Sequence, residues 1–252
     1  MKFFGLLTVT AVGIMLLYAV GDFPDWADPS SPASLHLSPH YITETIPETS
    51  VPNIVTSVLA DYRGFDTMFE TTVILAAGLA VLLILRRYRK RDGEDEEDDW
   101  KYEVSYQDTI IQTVCRVMIP FMQLFALYVI AHGHHSPGGG FQGGVILGAS
   151  FILLGISYDL KTILSRMREK SNIILANVGV LIYAGIGFLA LLLGANFLDY
   201  SILSTILPSV TPIEARSLAM LGVEIGVGIT VMAIVISIYT NLASHGRHNN
   251  GL

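Results

Sequence analysis

The chain has 252 residues, of which 52% are hydrophobic and 15% charged, and a mean hydropathy of +0.54. That excludes an ordinary soluble domain, which carries more charge and shorter apolar runs. The net charge of -7 argues against nucleic acid as a partner, and the lone Cys115 excludes an internal disulfide and a multi-cysteine metal site.

The composition predicts an all-α integral membrane protein. A span needs about 20 apolar residues, and six segments meet that: Phe3–Val20, Thr67–Leu85, Thr109–Ala131, Gly143–Tyr158, Ile173–Ala195 and Ile213–Tyr239. The first has signal-peptide features, Lys2 before an apolar run and Ala19-Val20-Gly21 at its end, and is read as a retained anchor. Basic residues follow the second span (Arg86, Arg87, Arg89, Lys90, Arg91) and the fourth (Lys161, Arg166, Arg168, Lys170). The positive-inside rule therefore places both termini in the cytoplasm.

The expected organisation is a two-span unit over 1–91, with a long outer loop over 21–65, and a four-span domain over 104–242. An acidic cytoplasmic linker (92–103) joins them, read as solvated, and a cytoplasmic tail (243–252) closes the chain. Within the outer loop, Asn53 caps a short interfacial helix, IVTSVLADYRG, with Gly64 just past its end. Three spans open with capping-box patterns: Thr67-x-x-Glu70, Thr109-x-x-Gln112 and Thr211-Pro212-Ile213-Glu214. These supply a structural reason for Glu70 and Glu214 to be acidic.

The most unusual stretch is HGHHSPGGGFQGG, His132 to Gly144. Pro137 fixes its own φ, and Gly138, Gly139 and Gly140 open backbone conformations closed to other residues. So tight a connection forces the flanking helices into an antiparallel hairpin. Gly140, Gly144 and Gly148 then form a smooth stripe on which another helix can pack.

Glu224 is the sharpest candidate for chemistry. It lies about ten residues into the last span, hence near mid-membrane, where an ionisable group costs roughly 2.5–3.5 kcal/mol to insert. Gly222 and Gly226 form a close-packing face, while Glu224 points nearly the opposite way with Gly228, so that helix is enclosed on both sides. Asp66 and Glu70 stand at i and i+4 at the outer end of the second span, with hydroxyls close by, as a hard cation such as Na⁺ requires. His132, His134 and His135 lack a zinc spacing and read as a polar outer rim, with His132 a candidate proton relay. Cys115 reads as packing, Arg116 and Lys161 as interface anchors, and Pro120 as a kink. Asn177 and Tyr183 are too few to define a path. No phosphate loop, nucleophile triad, haem motif or dinucleotide fingerprint is visible.

Two stretches carry a family resemblance. HGHHSPGGGFQGGVILGASFIL and GVEIGVGITV, within Val104–Leu242, resemble the B subunit of the Mrp-type multisubunit Na⁺/H⁺ antiporters, the MnhB family. Over Met1–Arg91, DPSSPASLHLSPHYITET and NIVTSVLADYRGFDTMFETTVILAAG are similar to the E subunit of membrane-bound hydrogenases, itself similar to the C-terminal end of the large Mrp A subunit.

The resemblance implies a non-catalytic accessory protein in the cytoplasmic membrane of a prokaryote, without a cofactor of its own. Its partners are then the other Mrp-type subunits, Na⁺ and H⁺, the lipid bilayer and a peripheral redox arm such as a hydrogenase. Asp66, Glu70 and Glu224 are implied parts of an ion path. The alternative is an assembly role, in which the chain seals the module without lining the path.

Overall fold

The computed structural model describes residues 2–91 and 109–244; the linker 92–103 and most of the tail lie outside them. The described residues are helical without strands, and six helices are long and apolar enough to cross a membrane. They fall into two compact units, 1–44 and 45–252. In the first unit, α1 (Lys2–Val20) is apolar all round, and its span has no buried residue. A turn and a π-helical stretch, Ala33–Leu37, lead into α2 (Ser38–Thr49), within which the second unit begins. This helix was not legible in the loop, where Pro47 interrupts SPHYITETIPET.

The second unit is built around one helix. After α3 (Ile54–Ser57) and a π-helical turn, Val58–Tyr62, come α4 (Gly64–Arg91), α5 (Thr109–Ala131) and α6 (Gly140–Ser157). They are followed by α7 (Leu160–Arg166), α8 (Glu169–Leu192), a 3₁₀ turn (Tyr200–Thr205) and α9 (Pro212–Ala243). α9 touches α4, α6 and α8, and is buried on most of its surface. A helix apolar all round in such a setting is a core helix of the bundle.

Small residues let the neighbours approach α9 closely. Against α8, a Cβ on Gly179 would collide with Gly226 O and Thr230 Oγ1, and Thr230 Oγ1 donates to Ala176 O at 3.0 Å. Against α6, a Cβ on Gly140 would land on the backbone carbonyl of Glu224, and one on Gly144 would stand 2.6 Å from Gly228 O. Gly148 rests on Val235, and Gly78 of α4 faces Ile234. α5 packs on α6, where Gly143 meets Ile130 and Ala126 O, and leaves Phe121, Phe125 and Tyr128 exposed.

Three local expectations meet different outcomes. At Thr211 the capping box is complete, with its hydroxyl accepting from Glu214 N and Glu214 Oε2 accepting from Thr211 N. At Thr67 it is absent, because α4 begins at Gly64 and Thr67 lies inside it, donating to Leu59 O at 2.7 Å. Glu70 is exposed and loses its capping rationale. The Thr109 pattern stands where the described residues of α5 begin. Elsewhere, Asp159 caps α7 through Thr162 N, and Cys115 is buried beside Ile119 and Leu154.

Candidate functional site

The glycine turn, 132–139, folds over the carboxyl of Glu224. Gly138 and Gly139 have φ of 140° and 133°, a region that L side chains rarely adopt, and this brings the start of α6 directly against α9. A Cβ on Gly133 would stand 2.8 Å from Glu224 Oε2, and one on Gly139 2.5 Å from Oε1. The glycines thus leave the space that the carboxyl fills. Glu224 is 8% exposed, and its Oε2 is buried with no hydrogen-bond partner. Burying a carboxyl so incompletely satisfied is costly, and such groups concentrate where function requires them.

The segment after α2 seals this arrangement. Asn53 caps α3 by accepting from Val55 N, and its Nδ2 donates to Gly133 O at 2.7 Å and to Ser136 O at 2.9 Å. The backbone N of Asn53 donates to His134 O, and Thr56 Oγ1 donates to Gly133 O at 2.8 Å. Asn53 was legible as a cap; its second task, latching the turn eighty residues away, was not. Asn53→Ala is expected to cost about 1–3 kcal/mol. That lowers the thermal midpoint of the purified protein by several degrees, whereas the exposed Asn177, which bonds Ile173 O of its own helix, should tolerate alanine.

Glu224 is level with the glycine turn, at one end of the α5–α6 hairpin rather than half-way along it. The stretch Pro212–Val223, about 18 Å at 1.5 Å per residue, continues α9 beyond it. Ser217, two turns along on that extension, has its hydroxyl 3.4 Å from His134 Nδ1. Burial, with His135 beside it, pushes the His134 imidazole below the usual histidine range, and its Nε2 is buried without a partner. His132 instead stacks on Tyr128 at 4.9 Å and neighbours His135. Of the three histidines, His134 is therefore the one turned to α9. Ser136 Oγ donates to His132 O, Pro137 is exposed on the outside of the turn, and Phe141 is 45% exposed. Gly222 and Gly226 face Ile186 and Gly179 on the α8 side.

Asp66 and Glu70 lie elsewhere, at the start of α4. Asp66 pairs with Arg63 at the rim of a cleft of about 670 Å³ that also contains Asp61, Asp199 and Arg216. Arg216 binds Asp61 in a two-pronged pair, 2.7 and 2.9 Å, that charge patterning did not reveal because the partners are 155 residues apart. The Tyr62 ring lies under Arg216, and its hydroxyl donates to Glu48 at 2.6 Å. Burial and the Glu48 carboxylate push that phenol above the usual tyrosine range. Tyr183 and Tyr200, both buried, donate to Gly64 O and Ala60 O. Arg216→Met leaves Asp61 without its partner. It should cost roughly 1.5–3 kcal/mol, read as a lower thermal midpoint.

Two family matches cover most of the sequence. Residues 110–237 match the domain related to the MnhB subunit of Na⁺/H⁺ antiporters. The chain belongs to the MnhB-related family. A second match, to MbhE, the E subunit of MBH, covers residues 23–96. The glycine turn and Glu224 fall in the MnhB-related part, whereas Asn53, Asp66 and Glu70 fall in the MbhE-like part. The chain is 32% identical over 136 residues to the B subunit of the Na⁺/H⁺ antiporter of Bacillus subtilis, an alignment covering 54% of this chain and 93% of that one. It is 25% identical to the A/B subunit of a probable K⁺/H⁺ antiporter of Rhizobium meliloti, over 96% of this chain, and spans only 26% of that protein.

Among solved structures, a chain of the Mrp complex from Dietzia sp. superposes with a TM-score of 0.68 and 25% identity, over 99% of this chain and 26% of that one. A chain of an archaeal respiratory complex, the membrane-bound sulfane sulfur reductase, shares the fold with a TM-score of 0.61 and 24% identity, over 96% and 97%. The MnhB resemblance and the MbhE resemblance thus both hold, within one chain.

Proposed function

We propose that the chain is an accessory component of an Mrp-type antiporter module in a prokaryotic cytoplasmic membrane, and that Glu224 carries Na⁺ or H⁺ on part of its path. The observation behind this is the carboxyl of Glu224, buried beneath the glycine turn with one oxygen unpartnered. His134 and Ser217 mark the approach to it along α9. Asp66 and Glu70, at the start of α4, form the outer mouth of that path. His132 serves at the rim. With both termini in the cytoplasm, the turn faces outward. The MbhE match favours a module coupled to a redox arm.

A second reading has its own support. The close approach of α6 and α8 to α9 suits a chain that seals its neighbours together, with Glu224 a packing residue. Reactivity separates the two. An apolar carbodiimide reacts with protonated carboxyls in apolar surroundings. In the purified complex it should modify Glu224, located by peptide mass spectrometry, and Na⁺ or higher pH should protect it. Labelling indifferent to both, or no labelling, supports the sealing role.

A further inference from the structure

The contact between α8 and α9 contains a second polar layer, about 20–25 Å along α9 from Glu224, that the glycine-turn site does not use. Glu169 and Asn172 lie one turn apart on α8, and Ser237 and Asn241 one turn apart on α9. Their exposures are 5%, 1%, 1% and 1%. The two helices run antiparallel, in a register set by two contacts. Thr230 Oγ1 donates to Ala176 O, and Asn241 Nδ2 reaches Glu169 Oε1 at 3.4 Å. One turn inward from the Glu169–Asn241 pair, Asn172 is level with Ser237.

The amide oxygens of this layer are among its unsatisfied groups. Asn241 Nδ2 donates to Ser237 O at 2.9 Å, and a carbonyl can only accept, so the orientation of that amide is fixed. Its Oδ1 is then left buried with no hydrogen-bond partner, as are Asn172 Oδ1 and Ser237 Oγ. The Ser237 carbonyl is already served a second time by Thr240 Oγ1. Buried oxygens in such numbers are ordinarily satisfied by something that binds them. A water can donate two hydrogen bonds, one to each amide oxygen, and leaves the serine hydroxyl and the carboxylate to other partners. A hard cation accepts the donor atoms present here: carboxylate, amide carbonyl and hydroxyl oxygen. We propose that this layer binds a hard monovalent cation, with Asn172, Ser237, Asn241 and the Glu169 carboxylate as its oxygen ligands.

This site stands independently of the role of Glu224, and its test is arranged to keep the two apart. Thermal unfolding of the purified complex is followed as NaCl, and in parallel LiCl or KCl, replaces choline chloride at constant ionic strength. A ligand that binds the folded state raises the midpoint with its concentration. The wild type should show that rise with at least one of the three salts. Asn172→Ala should abolish it, and Ser237→Ala, the smallest change available, should move the half-effective concentration upward several-fold. Glu224→Gln should retain the rise at this layer. If Asn172→Ala does not assemble, Ser237→Ala decides the matter alone. Equal responses in the wild type and Ser237→Ala, or no response to any of the salts, would overturn the proposal.

Discussion

Gly140→Ala is expected to release the chain from its complex. The added Cβ would meet the backbone carbonyl of Glu224, and Glu224 C and Cα lie close behind it. A flexible side chain could swing aside, but the backbone of a buried helix cannot. Either α6 moves off α9 or α9 bends, and each also disturbs Gly144 against Gly228 O, one turn on. Inserting one methylene into a packed core costs typically 1–3 kcal/mol, and a rigid backbone obstacle lies at or above the upper end of that range. The hairpin α5–α6 holds on one side to α9 and carries the turn that covers Glu224, so the effect reaches beyond local stability. On a native gel, the chain should be lost from the assembled band. Gly185→Ala, on α8 with nothing within 4 Å of the new Cβ, is the matched control. It should assemble normally and gain up to about 1 kcal/mol from helix propensity. Equal behaviour of the two variants would show that the α6–α9 contact is looser than the distances require.

Much of the helical framework was legible because long apolar runs admit few alternatives. The end of the third span at Ala131 was located to the residue, and the Thr211 box formed with its proline at the first position. The start of α4 was misplaced because Thr67-x-x-Glu70 satisfies the pattern of a box while a glycine three residues earlier begins the helix. Its carbonyl is held by Tyr183 of another helix, a contact that local sequence does not encode. The same limit applies at the candidate site. Glu224 stood out as a lone acid in an apolar run, and the glycine turn by its composition. That the turn folds onto that carboxyl, that Asn53 latches it, and that His134 rather than His132 turns to α9 depend on contacts between segments roughly eighty or more residues apart in sequence. The polar layer of Asn172, Ser237 and Asn241 was invisible for a similar reason: its members are ordinary helix residues until α8 and α9 are set antiparallel.

Replacing Glu224 by glutamine has the largest expected effect on function. The side chain keeps its size and the cradle of Gly133 and Gly139 keeps its shape, but the amide neither ionises nor carries a proton. The measurement is Na⁺-dependent proton transport in inverted membrane vesicles containing the complex with Glu224→Gln, with assembly checked on a native gel. A carboxyl on the ion path predicts that transport is lost from a complex that assembles normally. Unchanged transport from an assembled Glu224→Gln complex would contradict it, and would make the carboxyl beneath the glycine turn a packing group.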